Sequence, residues 1–221
     1  MRKFKLFALF ALLKAISCYS QVTIEKEKLT EMTLDPKQAL ERLINGNQRY
    51  IDDRLLHPDR SSEHREALVA NQKPFAIIVG CSDSRVPPEI LFDQGLGDLF
   101  VVRVAGNVVG PIELASVKYS AVYLNSSLIL VLGHQNCGAV NAVLSGQIKD
   151  IEAVSELLQP AVTRARGLPG LALENAIKEN VKLVVKQLQN SQGLQDLIRA
   201  KKIAVVGGYY NLNTGLVELL Y

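Results

Sequence analysis

Two short clusters in this sequence carry side chains able to do chemistry. Cys81-Ser82-Asp83-Ser84-Arg85 offers a thiol, a carboxylate and a guanidinium, and His134-Gln135-Asn136-Cys137-Gly138 adds an imidazole and a second thiol. Two sulfurs and one ring nitrogen are donor types that Zn²⁺ takes, four at a time, in a tetrahedron. His134 and Cys137 are three residues apart, so a turn that opens a helix aims both at one point. Cys81 and Asp83 are two apart, so extended backbone presents both on one side. The fourth vertex decides the use: three protein ligands and a water make a catalytic site, whereas four protein ligands make a closed structural one. Asp83 is the candidate closing ligand. Arg85 competes for its carboxylate through a bidentate pair. The site is open while Arg85 holds Asp83 and closed when it lets go, so five residues contain the parts of a switch.

Each residue alone has a plainer account. Cys81 and Cys137 can form a disulfide, the default for two cysteines in an oxidising compartment. Asp83 and Arg85 can be an ion pair of little energetic weight, and His134 a satisfied core or loop histidine. Two thiols, an imidazole and a carboxylate in two loops favour the metal reading over any of these taken singly. His57 and His64 lie in a polar stretch and read as solvated surface. Gly95-Leu96-Gly97 lacks the helix that a dinucleotide fingerprint requires.

The elements that must bring the clusters together are visible in the hydropathy pattern. Residues 75–79, 99–104, 128–132 and 203–206 are short apolar, β-branched runs. They are too short for buried helices and too continuous for half-solvated strands, which predicts buried parallel strands. Helical stretches at 88–92, 111–124, 137–144 and 171–189 alternate with them. The expected fold is therefore α/β, a mostly parallel β-sheet flanked by helices. Ligands of such sheets collect at the carboxyl ends of the strands. Both clusters sit there, one after Val79-Gly80 and one after Leu132-Gly133, and they converge if the two strands are neighbours. Upstream, Asp35-Pro36 marks a helix start, with Leu40, Leu43 and Ile44 on one face and Gly46-Asn47 as a candidate bend. A second helix is expected over 62–71.

A chain of 221 residues, 48% hydrophobic and 21% charged, has room for one domain with a substantial core. Residues 1–20 read as an export signal instead: Arg2, Lys3 and Lys5, an apolar run over 6–13, then Cys18-Tyr19-Ser20-Gln21. That run is too short to span a bilayer, so no stable membrane span is expected in the mature form. Cleavage after Ser20 is the first reading and lipid attachment at Cys18 the second; Lys14 sits awkwardly for both. Residues 21–34 read as a linker or mobile arm, and 35–221 as a single zinc-binding catalytic domain. The expected location is periplasmic or secreted. Four of the 25 basic residues and none of the 22 acidic ones lie in the signal, so the mature chain is nearly neutral. Nucleic acid thereby loses its electrostatic case as a partner.

Cys81-Ser82-Asp83-Ser84-Arg85-Val86-Pro87 and Gly133-His134-Gln135-Asn136-Cys137-Gly138 closely resemble the two signature loops of the β-class carbonic anhydrases. Leu43-Ile44-Asn45-Gly46-Asn47-Gln48-Arg49-Tyr50, Gly97-Asp98-Leu99-Phe100-Val101-Val102-Arg103, Ala105-Gly106-Asn107 and the tail from Gly207-Gly208-Tyr209-Tyr210 to Thr214-Gly215 are similar to the same family. The likeness covers nearly all of the chain after about Asp35. It implies one zinc per subunit, held by Cys81, His134 and Cys137, with Asp83 as variable fourth ligand and Arg85 as its partner in the open form. The implied activity is reversible hydration of carbon dioxide to bicarbonate and a proton, with Asp83 orienting the attacking water. Hydrolysis of carbonyl sulfide or carbon disulfide on the same scaffold, or a non-catalytic closed zinc site, are the alternatives. The resemblance also implies a protruding N-terminal helical arm, over residues 35–51, that embraces the partner in a homodimer, with tetramers as a further possibility. Gln135 and Val104 depart from the serine and asparagine of many members, and that alters the surroundings of the metal. A subgroup holds regulatory bicarbonate beside a tryptophan three residues before the first cysteine. Ile78 stands there in this chain, so that regulatory site is not expected.

Overall fold

The computed structural model describes residues 34–220; the expected export signal and nearly all of the expected linker lie outside the described residues. Helix α1 (Pro36–Ile51) starts where Asp35 accepts a hydrogen bond from the Gln38 amide at 2.8 Å and Gln38 accepts one from the Asp35 amide at 3.1 Å, a reciprocal cap. The expected bend at Gly46-Asn47 does not occur. Both residues are instead shaped to their neighbours. A Cβ at position 46 would collide with the carbonyl of Phe92, which ends helix α3 (Pro88–Leu91). The buried Asn47 amide donates to the Leu91 and Gly215 carbonyls at 3.1 and 2.8 Å, and its oxygen accepts the Val217 amide at 2.9 Å. Segment 35–51 is thus docked on its own chain along α1, with Ala39 and Leu43 buried in the core and Arg42 donating to Gln94 and Asp98 at 2.9 and 2.6 Å. We expect Gly46→Ala to destabilise the protein by about 3 kcal/mol, the upper end for overpacking, because rigid backbone rather than a side chain must move. A shift in the denaturant midpoint at unchanged slope measures it.

The sheet contains β1 (Ala76–Gly80), β2 (Leu99–Arg103), β3 (Leu128–His134), β4 (Ala204–Tyr210) and β5 (Val217–Leu220), in the order β2-β1-β3-β4-β5. The first four are parallel and β5 runs antiparallel to β4. Alternation of side chains splits the core in two. Ile78, Leu128, Leu130 and Leu132 belong to one apolar cluster, Ile77, Val79, Ile129 and Val131 to the other, as expected when both faces of a sheet are covered. Around the sheet lie α2 (Ser62–Ala67), α3, α4 (Pro111–Tyr123), α5 (Gly138–Leu144), α6 (Glu152–Ala165), α7 (Ala172–Gln189) and α8 (Leu194–Arg199). Helix α7 crosses β3 and β4 at glycines: a Cβ on Gly133 or Gly207 would stand 2.7 or 2.8 Å from methyl groups of Val181. No helix among the described residues is long and apolar enough to cross a membrane.

Several elements differ from expectation. Helix α2 is shorter than 62–71, and β4 continues through Gly207-Gly208 to Tyr210. Helix α6 lies outside the expected helical stretches, and Pro160 stands in its interior, where proline removes a helical hydrogen bond. The four residues of β5 are too few to show a period.

A buried carboxylate organises the approach to β1. Asp93, fully buried, accepts the Leu56 and His57 amides at 2.9 and 3.0 Å and Arg49 Nε at 2.6 Å. Desolvation pushes its pKa up, but the two amides and the guanidinium outweigh it, so the group sits below its ordinary value. A depressed folded-state pKa stabilises above the unfolded value of about 3.9, and that stability is lost as pH falls through the folded value. The stability difference between wild type and Asp93→Asn should therefore be flat through neutral pH and shrink in acid. Urea titrations across pH check this.

Candidate metal centre

Strands β1 and β3 are adjacent and in register, with Gly80 facing Leu132 on one side and Arg103 of β2 on the other. The two chemical loops therefore leave the sheet side by side. Pairing continues past the strand ends: Val104 N–H donates to the Gly80 carbonyl at 3.1 Å, and Ser82 N–H to the Val104 carbonyl at 3.3 Å. This extended backbone sets Cys81. His134 closes β3, and Cys137 stands immediately before α5, so turn and helix start place them together.

Cys81, His134 and Cys137 are all buried, and their ligand atoms lie within 4.8 Å of one another. Both cysteines are free. The Gly106 amide donates to Cys81 Sγ at 3.2 Å. Hydrogen bonding from Cys137, above all, lowers the Cys81 pKa to about 4, with burial opposing and His134 and the Asp83 and Gly106 amides assisting. The same contact and burial drive Cys137 upward.

His134 Nδ1 lies 2.9 Å from the Gln135 carbonyl. A carbonyl only accepts, so Nδ1 carries the hydrogen and Nε2 presents its lone pair. That buried Nε2 has no hydrogen-bond partner, and the nearest carboxylate oxygen, Asp83 Oδ2, is 3.8 Å away. Sulfurs, nitrogen lone pair and carboxylate all present electron pairs in one small volume. A cation satisfies such a set, and two cysteines with one histidine fit zinc.

Asp83 stands beside this triad, held by Arg85. Its Oδ1 accepts Arg85 N and Nε at 3.0 and 2.9 Å, and its Oδ2 accepts Nη2 at 2.7 Å. Chiefly through Arg85, the Asp83 carboxyl is held well below the usual carboxylate range, against a desolvation cost. Arg85 Nη2 also donates to the Asn136 carbonyl at 3.3 Å, so it spans both loops. Among the described residues the structure brings Cys81, His134 and Cys137 to one point and sets Asp83 and Arg85 at its rim. His57 is exposed and His64 Nε2 lies 3.0 Å from the Leu96 carbonyl.

A carbonic anhydrase family model matches residues 76–217, which include both loops. A solved β-carbonic anhydrase, CcaA, aligns with a TM-score of 0.66 at 28% identity, over 81% of this chain and 94% of its own. The chain belongs to the β-carbonic anhydrase family. Carbonic anhydrase 2 of Mycobacterium tuberculosis is 40% identical over 196 residues, covering 84% of this chain and 93% of that protein. The β-carbonic anhydrase of Coccomyxa, solved with acetazolamide, is 28% identical with a TM-score of 0.65, over 82% of this chain and 86% of its own.

Two residues of this β-carbonic anhydrase site escape sequence reasoning. Arg103, at the end of β2, donates from Nε to the Cys81 carbonyl at 2.8 Å and from Nη2 to the Asp83 carbonyl at 2.6 Å. It clamps the backbone that carries a ligand and the carboxylate. Its sequence signals are its place at the end of an apolar run and in the family-like segment Gly97–Arg103, and neither assigns it this role. Asn180 on α7 donates to the Gly106 carbonyl at 2.8 Å and so steadies the amide that faces Cys81; nothing local in the sequence marks it.

Proposed function

We propose that this protein is a zinc-dependent carbonic anhydrase, in which Cys81, His134 and Cys137 hold the metal and Asp83 with Arg85 does the positioning. The observation that carries the reading is the buried, unpartnered His134 Nε2 grouped with two free thiols, beside a carboxylate bound to Arg85. Bound zinc supplies Lewis-acid activation of water at neutral pH.

The chain's own residues do the rest. Asp83 stays ionised and accepts a hydrogen bond from the attacking water, which orients an oxygen lone pair toward carbon dioxide. Arg85 holds both carboxylate oxygens and so restrains Asp83 from closing the site. Arg103 fixes the main chain beneath them. Water adds through its oxygen to the carbon of carbon dioxide, and bicarbonate and one proton leave.

The deciding experiment is metal analysis of the purified protein together with stopped-flow carbon dioxide hydration. About one zinc per chain and a rate abolished by chelation support the reading; a rate unchanged in verified metal-free protein overturns it. Parallel assays with carbonyl sulfide and carbon disulfide separate the alternative hydrolases. The Asp83–Arg85 pair argues against a permanently closed zinc site.

Export to the periplasm or beyond, with cleavage after Ser20, belongs to the same proposal and rests on the charge and hydropathy of residues 1–20. Cell fractionation and N-terminal sequencing test it. We also propose a homodimer. Edge strand β2 and α4 share an aromatic series, Phe100–Tyr119–Tyr123, and on the same helix Tyr123 and Ile112 are 74% and 75% exposed. Light scattering of wild type against Tyr123→Glu tests that face.

A further inference from the structure

The His134 imidazole is oriented by a main-chain carbonyl and not by a carboxylate, which moves the question to what fixes that carbonyl. It belongs to Gln135, which is anchored twice. Its N–H donates to the Tyr210 carbonyl of β4 at 2.9 Å, and its side-chain oxygen accepts the Leu212 amide at 3.0 Å, in the turn joining β4 to β5. The next residue, Asn136, has φ 53°. Left-handed backbone there leaves the loop outside both ladder and helix, so a side-chain tether has work that regular structure does not do.

The turn on the far side of the tether is itself rigid. Asn211 Oδ1 accepts the Asn213 and Thr214 amides at 2.9 and 3.2 Å, and the Asn211 amide donates to the Leu216 carbonyl at 2.9 Å. Asn47 of α1 then grips both sides of Leu216, through the Gly215 carbonyl and the Val217 amide. A continuous set of hydrogen bonds runs from α1 through the β4–β5 turn to Gln135 and ends on His134 Nδ1.

We infer that Gln135 is a positioning residue of the metal centre: its side-chain oxygen ties the His134–Cys137 loop to the β4–β5 turn and thereby fixes the direction of His134 Nε2. This rests on the zinc reading above. Groups that orient a ligating histidine tune affinity through that histidine alone, without touching the metal.

Gln135→Met keeps side-chain length and removes the acceptor; Gln135→Glu keeps an acceptor oxygen at the same reach. Full-length proteins loaded with zinc are titrated with a chromogenic chelator, and cobalt-substituted samples give the ligand-field spectrum. Hydrogen exchange reads the Leu212 amide. Q135M should weaken zinc binding about 10-fold or more, displace the cobalt bands and expose the Leu212 amide, whereas Q135E restores all three. Unchanged affinity and spectrum in Q135M, or a Q135E no better than Q135M, overturns the inference. If Q135M does not fold, Gln135→Asn, whose oxygen stops one carbon short, takes its place under the same criteria. A wild-type chain that takes up no zinc sinks the functional reading and this inference together. A zinc-binding wild type with an indifferent Q135M sinks the positioning role alone.

Discussion

Replacing His134 by alanine should remove zinc and carbon dioxide hydration together, a fall of about 10⁶-fold in rate if this enzyme's acceleration is at the low end of the enzymatic range. Few protein groups are available to compensate. The other two donors are the buried thiols Cys81 and Cys137, and two ligands alone leave half of a tetrahedral zinc site unfilled. Asp83, the nearest carboxylate, is committed to Arg85 by three hydrogen bonds. The vacated space is buried, so truncation leaves a cavity as well as a missing ligand. Metal analysis of the purified variant is the primary measurement. The H134A protein should melt near metal-free wild type and should gain nothing from added zinc, which distinguishes lost coordination from general misfolding. Stoichiometric zinc in H134A would defeat the assignment of this residue as a ligand.

Arg85→Ala carries the second large effect and should act in the opposite way on metal and on rate. Arg85 supplies two side-chain bonds that hold Asp83 at the rim, whose Oδ2 is already 3.8 Å from His134 Nε2. Freed of the guanidinium, the carboxylate is attracted to the nearest cation. Zinc should then be retained at least as tightly, while hydration falls about 10²–10³-fold, as expected when a positioned polar group is lost and the open vertex is filled. Asp83→Asn should also be slow, because an amide is a weaker acceptor for the attacking water. The informative variant is the double one. If the R85A defect arises from a carboxylate blocking the site, adding D83N removes the block, and the double variant should exceed R85A alone. Such sign reversal is what directly coupled neighbours show in a double-mutant cycle. A double variant slower than both single ones would mean that Arg85 acts on substrate or product rather than through Asp83.

Much of the centre is legible in the sequence. Cysteine, aspartate, arginine and histidine placed directly after apolar runs announce both a donor set and strand-end positions, because buried strands need uninterrupted apolar residues and polar ones must wait for the loop. What spacing left open was whether the runs ending at Gly80 and Gly133 are neighbours. That is a property of sheet order, settled by packing of the whole chain. Arg103 illustrates the same limit: its bonds to the Cys81 and Asp83 carbonyls cross between strands, and no local pattern encodes them. Gly46 and Asn47 misled in an instructive manner. Both are poor helix formers, yet α1 runs through them because a close backbone approach requires the glycine and three buried main-chain groups require the amide. Tertiary contacts overrode propensity there.

The placement of the three ligands has a further result for the life of the protein in its host. Cys81 enters from one crossover of the sheet and the His134–Cys137 pair from another, so a bound ion bridges points far apart along the polypeptide and must be released before the chain can come apart. An ion that binds only the native form adds about 2.7 kcal/mol of resistance to unraveling when present at a hundred times its dissociation constant. Scarcity of the element should consequently reduce the amount of this protein as well as its specific activity, because apo molecules are opened and cleared by proteases faster than loaded ones.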